Sequence, residues 1–131
     1  MTRNTPPPRP TDAELAILRV LWTRGPSTVR QIAEVMAEAG REIGYTTVLK
    51  LLQIMTEKGL VVRDESARTH VYAPASTQDQ TQRQLVTDLL DRVFDGSAAQ
   101  LVMQALAAKK TTPEELAEIR RLLNKPRGEE R

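Results

Sequence analysis

The order of hydrophobic patterns predicts a mainly α chain with one small β element, an α+β class. Three observations predict it. Short amphipathic stretches opened by capping residues fill residues 11–59. Residues 60–73 then switch from a helical period to two short β runs with a charged turn between them, and residues 79–123 return to three leucine-rich helical stretches.

The first helix opens at Thr11, which with Glu14 fits a capping box: each side chain satisfies an orphan backbone N–H of the first turn. Leu15, Leu18 and Trp22 share one face with Ile17 and Leu21 beside it, and Gly25-Pro26 ends the helix. Thr28 with Gln31 repeats the cap for a short second helix, whose stripe is Ile32, Val35 and Met36 before Gly40. The third helix begins near Gly44 or Thr46 and closes at Gly59, with Val48, Leu51, Leu52 and Met55 at spacings of three and four that turn them to a core. Leu60, Val61 and Val62 start a β run that continues into Arg63-Asp64. The turn falls at residues 65–68, and Thr69 to Ala73 return as a second strand. Beyond it, Leu85, Leu89, Leu90 and Val93 mark one stripe, Leu101, Val102 and Ala105 a second, and Leu116, Ile119, Leu122 and Leu123 a third. Thr112, Pro113 and Glu115 start the last helix with a cap, a proline at its first position and an acid in its first turn.

Composition narrows the function classes. The chain has 131 residues, 40% of them hydrophobic and 3% aromatic, so its interior is expected to be aliphatic. The absence of cysteine excludes disulfide scaffolds, thiol catalysis and cysteine-ligated metals together. No apolar run approaches a membrane span, and the first ten residues lack the apolar stretch of a signal peptide; the expectation is a cytoplasmic protein without membrane insertion. Net charge is +2 and the excess lies in residues 1–75, which hold ten Lys or Arg against eight Asp or Glu. His70 is the single histidine and has no companion at metal or catalytic spacing, so it reads as a strand residue. No cluster of acid, base and nucleophile stands out, so neither an enzyme nor a bound metal or cofactor is expected. The Pro-rich arm 1–10, with Arg3 and Arg9, and the charged tail 125–131 are expected to be disordered.

A polar-faced helix followed by a hairpin is the sequence order of a winged helix-turn-helix, expected over residues 11–75. Thr46, Thr47, Lys50, Gln53 and Ile54 lie away from the core stripe of the third helix, with Tyr45 at its start. The hydroxyl, amide and cationic groups among them reach base edges or phosphates in a major groove. A merely solvated face looks similar but is usually richer in Glu and Lys pairs. Arg63 and Arg68, beside such a helix, are placed to straddle a phosphate backbone. Residues 76–124 are the expected dimerisation region: three helices of this size bury so many leucines poorly alone, so a second copy is the natural cover, and packing back on the first domain the alternative. A dimer carries two reading heads and predicts a palindromic site with half-sites near a whole helical turn apart.

The motifs TDAELAILRVLW, STVRQI, YTTVLKLLQIM, KGLV and HVY, in that order and spacing, resemble the DNA-binding domain of the BlaI/MecI family, the repressors of penicillinase and methicillin-resistance genes. LVTDLLDRVFDGSAAQLVMQAL and TPEELAEIRRLLN resemble that family's three-helix dimerisation region, so the likeness covers residues 11–124. It implies a homodimeric repressor whose recognition helix reads double-stranded DNA through Thr46, Thr47 and Lys50 and whose wing acts near Arg68. Arg30 and Gln31, at the start of the second helix, are the implied phosphate contacts. Two departures stand out: Ile54 replaces an arginine frequent late in the recognition helix, and Lys50 a smaller polar residue, which implies an operator different from the usual TACA/TGTA dyad. Members encoded beside a membrane zinc-metallopeptidase sensor are inactivated by cleavage in the dimerisation region. An Asn-Phe bond cut in some relatives aligns with Gln104-Ala105 here. Copper-responsive members carry a cysteine-rich tail, which this chain lacks. The competing class is a winged-helix module whose third helix contacts protein, without sequence-specific DNA binding.

Overall fold

The computed structural model describes residues 9–125, in the order α1 (Asp12–Arg24), α2 (Val29–Glu38), α3 (Tyr45–Lys58), β1 (Val61–Asp64), β2 (Val71–Pro74), α4 (Gln78–Val93), α5 (Ala98–Ala108) and α6 (Pro113–Leu123). The expected N-terminal arm up to residue 8, including Arg3, and the tail from residue 126 lie outside the described residues. The chain divides into two compact units, residues 1–85 and 86–131.

Local chemistry sets the helix starts. Thr11 and Glu14 exchange both bonds of a capping box at α1, as do Thr28 and Gln31 at α2 and Thr112 and Glu115 at α6. A fourth reciprocal pair, Thr77 with Gln80, opens α4 and follows the same T-x-x-Q spacing. Ser97 caps α5 through the Gln100 N–H. Gly59 ends α3 with φ +81, a left-handed conformation that leaves the Gly59 and Leu60 N–H groups on the carbonyls of Thr56 and Met55. That reversal starts the hairpin immediately.

In the first unit α1, α2 and α3 pack on one another, and the antiparallel pair β1 and β2 closes the open side. Ile17, Leu18 and Leu21 of α1, Val29, Ile32 and Met36 of α2, and Val48, Leu52 and Met55 of α3 form the core with Val61 and Tyr72. Each such side chain contributes roughly 1.5–3 kcal/mol on burial. Leu15, Trp22 and Leu51, expected in the centre of their stripes, sit partly buried at its rim. The core has one aromatic residue, Tyr72, which departs from the all-aliphatic interior expected from composition. Its backbone also extends the sheet: the Ser27 N–H donates to the Tyr72 carbonyl at 3.0 Å and the Tyr72 N–H to the Ser27 carbonyl at 2.8 Å.

The hairpin register pairs Val61 with Pro74 and Asp64 with Val71. The return strand therefore starts two residues later than its composition suggests. Thr69 and His70 belong to the exposed connection, because Asp64 spends its carboxylate on the Ser66 N–H at 2.9 Å and takes the chain out of the ladder. His70 is not a strand residue.

In the second unit the remainder of α4 is followed by a tight turn, in which Gly96 donates to the Leu90 carbonyl, and then by α5 and α6. None of these three helices holds a fully buried residue. Leu90, Leu101, Leu116 and Ile119 are half-buried, whereas Val93, Val102, Met103, Leu122 and Leu123 are exposed, Leu123 at 73%. Among the described residues no helix is long and apolar enough to cross a membrane.

Candidate nucleic-acid interface

The periodicity of α3 divides it cleanly. Val48, Leu52 and Met55 are fully enclosed, which turns Thr46, Thr47, Lys50 and Gln53 outward and exposed; Tyr45, three residues before Val48, opens the helix on the stripe's own side and is 51% exposed. Ile54 joins the outward residues at 38% exposure. The face thus presents hydroxyls, an amide, a cation and a methyl-bearing side chain. Each of these types has a partner on the edges of a base pair or on a phosphate. A major groove about 12 Å wide admits a helix carrying them.

The orientation of α3 is fixed from its far end. Lys58 Nζ donates to Glu14 Oε1 at 2.7 Å, and the same oxygen accepts the Thr11 N–H at 2.9 Å. Glu14 is 2% exposed, so a charge lies inside the first unit with its partners supplied by α1's own cap and α3's last turn. Burial raises the Glu14 pKa; the Lys58 ammonium and the Thr11 backbone and hydroxyl donors outweigh it and bring the net value below the ordinary one. The sequence showed Glu14 only as a capping residue, since nothing local marks a partner 44 positions away.

At α2, Arg30 is exposed. Gln31 is half-buried and its side-chain oxygen accepts the Thr28 N–H at 2.9 Å, so only its amide N–H₂ remains to donate outward. In the hairpin, Arg68 lies on the exposed bend, but Arg63 sits in β1 opposite Tyr72, with its Nε donating to Glu65 Oε2 at 2.6 Å. The Tyr72 hydroxyl and then Glu65 hold the Arg63 pKa above its ordinary value. Arg63 thus lies on the strand, where the first β run was expected to carry it, and its guanidinium already serves intrachain partners. Arg68 is the wing cation that faces outward. Among the described residues no three His, Asp or Glu side chains converge to hold a metal ion.

Three helices with a hairpin directly after the third, the third offering a polar face to solvent, define a winged helix-turn-helix domain. The family can be stated more narrowly. The chain belongs to the penicillinase repressor (BlaI/MecI) family, whose sequence profile, described as Penicillinase repressor, matches residues 10–125. It is similar to the transcriptional regulator BlaI of Mycobacterium tuberculosis strains CDC 1551 / Oshkosh and H37Rv. Each is 37% identical over 93 residues, covering 70% of this chain and 67% of the relative. Among solved structures, the solution structure of apo-NmtR is 26% identical and covers 63% of this chain and 66% of that one, with a TM-score of 0.45.

Proposed function

We propose that this chain is a homodimeric transcriptional repressor that binds a palindromic operator, each copy inserting α3 into a major groove. The carrying observation is the division of α3: its apolar stripe is enclosed while Thr46, Thr47, Lys50 and Gln53 are turned away from it into solvent, with Tyr45 exposed at the helix start. Thr46, Thr47 and Lys50 contact base edges, with Tyr45 and Gln53 at the margins. Arg30, the Gln31 amide and Arg68 hold phosphates, and Arg63 joins them by exchanging its Glu65 partner for a phosphate oxygen. Selection of bound sequences from a random duplex pool, at near-physiological salt, tests this reading. Enrichment of an inverted repeat with fixed spacing supports it; weak, salt-sensitive retention without enrichment assigns the domain to protein contacts instead.

Lys50→Ala is expected to weaken operator binding about 10- to 100-fold, the usual worth of one base-directed or phosphate-directed cation. Titrations at several salt concentrations distinguish the two: a phosphate contact lowers the salt slope by about one, whereas a base contact leaves the slope and relaxes preference at one position. An unchanged affinity for every operator tried would remove Lys50 from the interface.

Dimerisation through the second unit rests on the exposed and half-buried apolar residues of α4 to α6, among them Leu89, Leu90, Val93, Leu101, Val102, Ala105, Leu116, Ile119, Leu122 and Leu123, with Leu85 one turn earlier in α4. Leu101→Asp is expected to weaken self-association about a hundredfold or more, because it would bury an unpaired carboxylate. Sedimentation at micromolar concentration reads this directly, and a variant that stays dimeric puts the interface elsewhere. Relief of repression by cleavage at Gln104-Ala105, by a membrane zinc-metallopeptidase sensor, is the regulatory part of the same proposal and is motivated by the resemblance. Both residues are exposed and lie inside α5. Incubation with the candidate sensor that yields no fragment ending near residue 104 excludes it.

A further inference from the structure

The last residue of the hairpin and the three that lead from it to α4 are held one after another. Pro74 pairs with Val61 at the end of the ladder. The Ala75 N–H donates to the Leu60 carbonyl at 2.9 Å. The Ser76 carbonyl accepts the indole Nε1–H of Trp22 at 2.9 Å, across 54 positions of sequence. Thr77 then exchanges bonds of 2.9 and 3.0 Å with Gln80 and starts the helix. Three of these four anchors are backbone pairing or local capping, which many sequences provide. The Trp22 bond is different: it ties the exit segment to the last turn of α1, the helix whose other end grips α3 through Glu14 and Lys58. The first two turns of α4, through Leu85, belong to the same compact unit, and the helix continues unbroken to Val93.

We propose that Trp22 is a positioning residue for operator spacing: by holding the Ser76 carbonyl, its indole N–H fixes the direction in which α4 leaves the winged helix, and hence the distance and rotation between half-sites that a dimer accepts. The inference rests on the dimeric reading given above. One base pair of added spacing rotates a half-site by roughly 35° about the duplex axis, so a dimer with a fixed exit direction must bend or twist either the DNA or itself to follow. A dimer whose exit segment is loose follows at lower cost. Trp22 carries no charge and belongs to α1 rather than to α3, so loss of its indole bond is expected to act on spacing and not on the half-site contacts.

The test uses the full chain, wild type and Trp22→Phe, against duplexes carrying two half-sites at the selected spacing and at spacings one or two base pairs shorter and longer, together with a duplex carrying one half-site. Phenylalanine keeps much of the packing and removes the donor together with one of the two rings. Wild type is expected to discriminate against a one-base-pair change by about tenfold or more, and Trp22→Phe to lose about fivefold of that discrimination, the size of one net hydrogen bond. Its affinity for the single half-site should stay within about twofold of wild type. Thr77→Ala, which loosens the same segment from the α4 side, is expected to flatten the spacing profile likewise and decides the matter if Trp22→Phe does not fold. An unchanged spacing profile in the folded variants overturns the inference, as does a loss on the single half-site equal to that on the palindrome. A wild type that prefers no palindrome over a half-site fails differently: it overturns the dimeric reading itself.

Discussion

Tyr72→Ala is expected to lower the stability of the winged-helix unit by about 3–5 kcal/mol, the range for deleting a buried large aromatic side chain. That is a large part of the ~5–15 kcal/mol by which a domain is ordinarily stable, so the variant should be substantially unfolded at modest urea concentrations. Among the described residues Tyr72 is the largest fully buried side chain and the only aromatic one in a core otherwise of Leu, Ile, Val, Met and Ala. It sits where β2 meets both β1 and the α1–α2 connection, through the reciprocal bonds to Ser27. An alanine there keeps the backbone pairing but leaves a void in the core. Urea unfolding followed by the emission of Trp22, the single tryptophan, gives the number directly. Tyr72→Phe is the control, expected to lose no more than about 1.5 kcal/mol with the hydroxyl beside Arg63. A loss of under about 1 kcal/mol for Tyr72→Ala would mean that the hairpin is not part of the cooperative core.

Lys58→Ala is expected to cost about 3 kcal/mol at neutral pH, at the low end of the range for breaking a buried pair, because Lys58 itself keeps 22% side-chain exposure. The damage comes from the carboxylate left behind at 3% side-chain exposure. The pH dependence carries the signature. In the wild type the Glu14 pKa is depressed on folding, so its stabilisation is present above the unfolded carboxylate value and is lost as pH falls through the folded one. Without Lys58, burial is opposed only by the Thr11 bonds, so the Glu14 pKa lies above its wild-type value and the variant loses less stability than the wild type as Glu14 protonates. The gap between the two proteins should therefore narrow as pH drops below about 5. A gap constant from pH 7 down to 3.5 would show that Glu14 is not the group responsible. Operator affinity, measured where both proteins are folded, adds a second readout, since the same pair fixes the end of α3.

What the sequence disclosed was what neighbours within four residues decide. The boxes at Thr11, Thr28 and Thr112, the stop at Gly59 and the stripe Val48, Leu52, Met55 are all local, and each lies where its spacing put it. The outward set on α3 follows from that stripe by elimination, so the candidate site was legible to the same degree as the core. The links made across the chain were not. Glu14 with Lys58, Trp22 with Ser76 and Ser27 with Tyr72 join positions whose types are common and whose separation leaves no periodic trace. The wing shows the same division: a strand, a charged turn and a second strand were readable. The register that moves Thr69 and His70 out of the ladder, and puts Arg63 against Tyr72, depends on pairing between the strands.

The repeated threonine boxes bear on how the chain reaches this state. Among the described residues, four of six helices open with a Thr and a Glu or Gln three residues later, a bond pair that forms without any tertiary contact. Helical turns of this kind form in a microsecond or less, so they are available early, even while the chain is being synthesised. The Ser27–Tyr72 bridge is the opposite case, closing a long loop before Tyr72 can enter the core, and such non-local pairings are the ones that set folding speed. The helices of the first unit should therefore form quickly and wait for the hairpin to seal them. During that interval the apolar side of α3 stays open to water, and the domain acquires a reading head only when its last strand arrives.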